Sequence, residues 1–309
     1  SMHIDQAERL GAKLLDNSVV YKIEADDNGK ITRIWYKKPD GSEHSLTANL
    51  FIVAAYGIES PKLLLMSTSE KYPNGIANSS DQVGRNLMGH TGISMNFMMA
   101  EDVWPGQGPT ELLVYLNNRD GEFRKTFPSY KIKVRNTVPT ADYASGLISK
   151  GVLGSELDEQ LRKLSARSLN FAIDFETVPL PENRVVPSKT KTDAIGIPLP
   201  EISYSVTDYW QAGKEEGLKD FANFAKLLGG DVLKIDTNYQ DRQHIMGTTI
   251  MGDDQKNSVV NSDCRTHDHP NLYIAGTSVM PSASCMNPTL TGAALTLRLA
   301  NHLLKNGLV

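Results

Sequence analysis

"LFIVAAYGIESPKLLLMS", residues 50–67, passes from an apolar run into a helical one across a Tyr-Gly step. Leu50 to Ala55 is too short for a helix and fits a strand buried on both faces. "IESPKLLLMS" resumes as a helix with Pro61 near its start, where a missing N–H costs least. In α/β folds such a strand-to-helix passage faces a nucleotide, although an ordinary βα turn reads the same way.

Upstream, "SVVYKIEA", "ITRIWYKK" and "EHSLT" are β-rich runs separated by the turn formers "DDNG" and "PDG", the pattern of a β-meander. Before them, residues 5–15 place Ala7, Leu10, Ala12, Leu14 and Leu15 at rough helical spacing and predict a helix that stops at "DN". The opening Ser1-Met2 resembles a pair left by tag cleavage, so the chain is expected to begin inside a longer protein.

Residues 91–240 have another texture. "GISMNFMMA", "ELLVYLN", "SLNFAIDFE" and "EISYSVT" read as strands, interrupted by "WPGQGP", "PLPENRVVP" and the long helical segment "DYWQAGKEEGLKDFANFAKLLGG". They predict a largely antiparallel sheet with helices on one side. The last part returns to short strands, with "NLYIAGTS" a buried-strand candidate. In "NPTLTGAALTLRLANHLLKNG", Asn287 suits a cap, Pro288 the first helical position and Gly307 the stop, while Leu290, Ala293, Ala294, Leu297, Ala300, Leu303 and Leu304 follow helical spacing. The fold class is therefore mixed, α+β with an α/β part.

Composition narrows the partners. The 309 residues carry 32 Lys plus Arg against 36 Asp plus Glu, a formal charge of −4 with no basic block, which argues against nucleic acid. No apolar run approaches the roughly 18 residues of a membrane span, and Arg298, Asn301, His302 and Lys305 exclude one in the terminal helix. No signal-peptide pattern opens the chain. Two cysteines, Cys264 and Cys285, are too few for a disulfide scaffold or an iron–sulfur cluster, and they leave the compartment open.

Four segments have residues suited to chemistry. "QHIMGTTIMG", residues 243–252, sets His244 before a Gly-Thr-Thr turn that has no structural need of an imidazole. "VGRNLMGH" offers Gly84, Arg85, Asn86 and His90, and by itself reads as a polar surface loop. "CRTHDHP" offers Cys264, His267 and His269, but three donors within six residues and no second pair rarely close a tetrahedral zinc site, so no metal is expected. The terminal helix begins with unpaired N–H groups and a positive dipole end suited to an anion. There Asn287 either caps the helix or faces a substrate.

In this order and spacing, "HIMGTTIMG", "SVVNSDCRTHDHPNLYIAGTSVMP" and "NPTLTGAALTLRLANHLL" resemble the C-terminal part of the glucose–methanol–choline (GMC) oxidoreductases, FAD enzymes that oxidise alcohols and sugars. "FIVAAYGIESPKLLLMS" and "VGRNLMGH" resemble the middle of their flavin domain. The wording of "CRTHDHPNLYIAG" is most similar to the flavoprotein large subunits of bacterial gluconate, fructose and glucose dehydrogenases. The resemblance implies that His244 acts on a substrate hydroxyl, assisted by Asn287. It implies FAD contacts at Val20, Gly57, Asn86, Gly276, Thr277, Asn287, Pro288 and Thr289. It further implies a discontinuous flavin-domain part, residues 3–90 and 241–309, around a substrate-binding domain, residues 91–240. A cytochrome or small-subunit partner and a periplasmic place at a membrane, reached through partners, follow from the same likeness.

The chain also departs from the family pattern. Gly276-Thr277-Ser278 lacks the acidic residue many members have, and Ala55-Tyr56-Gly57 puts a ring where Ala-Ala-Gly is usual. No GxGxxG occurs, so the family's main FAD-anchoring turn is missing and FAD is expected to bind weakly or not at all. An alternative expectation is a catalytically inactive, truncated remnant that serves as a binding or assembly module.

Overall fold

The computed structural model describes residues 2–308. Helix α1 spans Met2–Arg9 and is shorter than expected. Gly11, at φ +99°, breaks it, and Leu10, Leu14 and Leu15 remain exposed, so their helical spacing found no surface to pack against.

Strands β1 (Val19–Ala25), β2 (Ile31–Lys37) and β3 (Glu43–Thr47) form the antiparallel meander in the order β1-β2-β3. Its first turn is held by Asp26 Oδ1, which accepts from the N–H groups of Asn28 and Lys30. β4 (Phe51–Val53) follows, then α2 (Tyr56–Met66). Phe51 and Val53 enter the core, but Ile52 is 46% exposed, so this strand is covered on one face and not on both.

The next elements are β5 (Thr91–Met98), β6 (Glu111–Tyr115), β7 (Tyr130–Arg135), α3 (Thr140–Ile148), α4 (Gly154–Arg167) and β8 (Ser168–Phe175). A hairpin of β9 (Arg184–Thr192) and β10 (Pro198–Ser203) leans on α2, and then come α5 (Asp208–Leu228) and β11 (Asp231–Asp241). Thr207 caps α5 by accepting from Trp210 N–H, and Gly229 ends it in the left-handed region. Five strands form one antiparallel sheet in the order β11-β5-β8-β7-β6. β7, β11, α3 and α4 were not expected from the sequence. β11 is a mostly exposed edge strand whose charged residues hide its pattern.

Alternation assigns the two faces of this sheet. Ile93, Met95, Phe97, Ile132, Phe171 and Ile173 pack beneath α5 with Trp210 and Phe221. On the opposite face, Lys131 and Asp174 are register partners. β12 (Leu272–Ile274) pairs in parallel with β4, and α6 (Thr289–Lys305) ends the chain's regular structure. Ile31, Leu64, Val260, Ile274 and Leu299 belong to a separate core built from the outer segments. Among the described residues no helix is long and apolar enough to cross a membrane.

Candidate active site

The "HIMGTTIMG" turn is clamped from three sides. Met246 and Met88 exchange both backbone hydrogen bonds, and Gly84 N–H donates to Thr248 O. Thr277 Oγ1 donates to Ile245 O, and Gly247 N–H donates to Thr277 O. Pro61 lacks the N–H that would bond the carbonyl of Gly57 four residues earlier. That carbonyl accepts from Thr248 Oγ1 at 2.9 Å instead, which ties the turn to α2. At Gly247, φ is +77° and a Cβ would sit 2.0 Å from Asn86 O, so only glycine fits.

Strain gathers around His244. Gln243 and Thr248, at φ +58° and +76°, are non-glycine residues in the left-handed region, as is Tyr56 at +66°. Tyr56 donates from its hydroxyl to Gln243 O at 3.3 Å, so the ring that departs from the family pattern braces the residue before His244.

His244 Nε2 lies 3.1 Å from Asn287 Nδ2, although 43 positions separate them. Its Nδ1 lies 2.8 Å from Nδ1 of His90. His90 is fully buried, which corrects the reading of "VGRNLMGH" as a surface loop, and its Nε2 donates to the carbonyl of Ser284. Asn287 does not cap α6: Pro288 takes the cap position, no side chain caps the helix, and the Asn287 amide carbonyl instead accepts from Lys131 Nζ.

Behind this row is a buried charge cluster. Asp174 is fully buried, with Lys133 Nζ at 3.0 Å, Arg242 Nε at 3.1 Å and Lys131 Nζ at 3.5 Å. Glu111 pairs with Lys133 from the rim at 2.7 Å. Gly92 makes room for this, because a Cβ there would stand 2.7 Å from Arg242 Nε. Burial pushes the Asp174 carboxyl up, but Lys133, Lys131 and Arg242 outweigh it and hold it below the usual range. Burial lowers His244, with Asp174 opposing and the two lysines assisting, while burial and the neighbouring His244 push His90 down to about 4. Both rings are therefore neutral near pH 7. His90, Asp174 and His244 offer ligand atoms within 4.8 Å of one another, but three cations already surround the carboxylate and would repel a metal ion.

A neutral imidazole beside an amide, at the end of a helix with unpaired N–H groups, can remove a proton from a hydroxyl and hold the resulting oxyanion. Residues 179–296 match the profile of the GMC oxidoreductases. The chain is 41% identical over 301 residues to the fructose dehydrogenase large subunit of Gluconobacter japonicus, covering 97% of this chain and 55% of that protein. The chain belongs to the GMC oxidoreductase family. It is 27% identical to the 2-methyl-1,2-propanediol dehydrogenase of Mycolicibacterium austroafricanum, over 97% of this chain and 56% of that one. A structure of Aspergillus oryzae formate oxidase, from a study of FAD modification, superposes with a TM-score of 0.65 at 14% identity, over 92% of this chain and 59% of that chain. The chain thus spans little more than half the length of the curated relatives it matches.

Within this GMC chain, Gly57, Asn86 and Thr277 all touch the His244 turn, Asn86 through its carbonyl while its amide donates to Gln82. Thr277 also packs against α6 at Gly292. Gly276, at φ +107°, has nothing within 4 Å of where a Cβ would sit. Asn287 and Thr289 are exposed and Pro288 is buried, whereas Val20 sits on β1, half-buried against the outer-segment core and outside this network. Sequence reasoning gave no role to Lys131, Lys133, Asp174 or Arg242, which read as ordinary polar strand positions. The "CRTHDHP" donors have structural work: His269 bonds Ala77 N–H and Gly29 O, His267 bonds Ser258 Oγ, and Cys264 is in the core.

Proposed function

We propose that this chain supplies the substrate side of a FAD-dependent dehydrogenase that oxidises a sugar or other alcohol. The observation that carries this reading is the approach of His244 Nε2 to Asn287 Nδ2, 3.1 Å apart beside the uncapped start of α6. A substrate hydroxyl entering beside the pair and displacing their direct contact would give its proton to His244 and take a hydrogen bond from the Asn287 amide on the developing alkoxide. Lys131 holds that amide by its carbonyl, so its N–H groups face the reacting oxygen. Lys131, Lys133 and Arg242, against Asp174 and Glu111, leave one net positive charge behind the site, which favours a neutral imidazole and an anionic substrate oxygen.

The residues present fit the ring end of FAD. The N–H groups in the first turn of α6 have no partner inside the helix, and the space beside Gly276 is open. Gly276, Thr277, Asn287 and Thr289 would face the ring, with Pro288 fixing the helix start and Gly57 and Asn86 supporting the His244 turn from behind, while Val20, on β1, would meet the cofactor away from this network. A diphosphate needs a cradle of glycine backbone that this sequence does not contain, so weak FAD binding is part of the proposal. Bound FAD would accept the hydride from the substrate carbon.

The two cores support a division into residues 3–90 with 241–309 and residues 91–240, since one draws on Ile23–Val83 and Val259–Leu303 and the other on Ile93–Leu228. The Gluconobacter relative is named a large subunit, which supports a partner subunit; that this partner accepts the electrons and holds the chain at the periphery of a membrane is part of the proposal. In the FAD-loaded enzyme, His244→Ala should lower turnover about 100-fold or more with flavin absorbance near normal. Full activity in that variant would overturn the reading.

A further inference from the structure

We infer that His90 is a positioning residue that locks His244 as the tautomer protonated on Nδ1, leaving Nε2 unprotonated to serve as the base. The inference rests on the base role proposed for His244.

Two independent chains of donors and acceptors give the same tautomer. From one end, the carbonyl of Ser284 can only accept, so Nε2 of His90 carries a proton. A neutral His90 then has a bare Nδ1, and the 2.8 Å contact requires His244 Nδ1 to donate. From the other end, Lys131 Nζ can only donate, so it fixes Oδ1 of Asn287 as acceptor. The Asn287 NH2 therefore faces His244, where it can only donate, and Nε2 of His244 must accept at 3.1 Å.

The surroundings keep His90 neutral. It is fully buried, its ring meets His244 edge-on with centroids 4.8 Å apart, and its neutral range extends down to about pH 4. The charged groups around the pair are Asp174 on β8, Lys131 and Lys133 on β7, Glu111 on β6 and Arg242 after β11, and the cations outnumber the carboxylates. Without His90, Nδ1 of His244 has no acceptor, and only the single 3.1 Å contact from the exposed Asn287 amide opposes a proton on Nε2, where the ring cannot act as a base.

Glutamine at position 90 can accept from His244 Nδ1 and donate to Ser284 O, whereas leucine can do neither. Two-bond nitrogen–proton couplings in 15N-histidine-labelled protein report which ring nitrogen carries the proton, and His244→Ala and His90→Gln assign the signals. The expected result is His244 protonated on Nδ1 in the wild type and in His90→Gln, with mixed or Nε2-protonated His244 in His90→Leu. In the FAD-loaded enzyme, kcat should fall about 10- to 100-fold in His90→Leu with KM little changed, and recover most of that in His90→Gln. A wild-type His244 protonated on Nε2, or a tautomer unaltered by His90→Leu, overturns the inference. The NMR result does not depend on activity, so an active His244→Ala enzyme would remove the base role and leave the tautomer lock standing.

Discussion

Lys131 donates to the side-chain carbonyl of Asn287, joining β7 to the residue before the α6 cap across 156 positions of sequence. The same ammonium lies 3.5 Å from Asp174, so one lysine links the buried charge cluster to the amide that faces His244. The pairing of Asn287 with His244 therefore has its geometry set by the antiparallel sheet as well as by the segment before the terminal helix.

Removing the carboxylate should cost more than removing one cation. Asp174→Asn leaves three buried cations with little compensation and should destabilise by about 3–5 kcal/mol, whereas Lys131→Met leaves Lys133 and Arg242 on Asp174 and should cost about 1–3 kcal/mol. Urea unfolding of the two variants checks the order. In the loaded enzyme, Lys131→Met should also lower kcat by about tenfold, because the Asn287 amide is no longer held.

Acid should destabilise the chain well before its carboxylates titrate. The folded value of His90 is about 4 against an ordinary 6.5, so folding favours the neutral ring. Its contribution is complete above about pH 6.5 and is lost as pH falls towards 4, where the unfolded chain binds a proton that the native one does not, a loss of about 3 kcal/mol. His244 is shifted in the same direction, and Asp174, also depressed, adds a loss at lower pH. Thermal unfolding from pH 7 to 4 should show the decline, and His90→Gln should flatten it.

FAD should associate weakly with this chain, because the ring-facing residues are present without a glycine cradle for the diphosphate. Gel filtration after incubation with excess FAD should separate most of the flavin, and stoichiometric retention would show that the present residues suffice.

Zinc should not bind at Cys264, His267 and His269. The two rings already bond to Gly29, Ala77 and Ser258, and burial raises the Cys264 thiol against the thiolate a metal needs. Metal analysis after zinc loading and desalting checks this, with one zinc per chain as the contrary result.

Local chemistry made much of the fold legible. The meander follows from Asp26 and Gly29 between alternating strands, α5 from one long helical segment, whose Thr207 cap and Gly229 stop the structure supplies, and α6 from a spacing that a packed helix must have. His244 stood out because a Gly-Thr-Thr turn does not require an imidazole. The same rules misread residues 10–15 and Ile52, since periodicity identifies an apolar side but not whether anything covers it.

What only the tertiary structure decided is which polar positions became buried. Lys131, Lys133 and Asp174 occupy alternate positions of β7 and β8 on the face away from α5, and strand period alone cannot distinguish solvent on that face from another segment. The return of residues 242–287 across the sheet makes the difference: Arg242 reaches Asp174, His244 meets His90, and Asn287 meets Lys131. Local sequence therefore determined the meander, α2, α5, α6 and the candidate base, but not β7, β11, α3 or α4. Long-range chain closure decided its neighbours, because the contacts that orient His244 join residues 43 and 154 positions away from it.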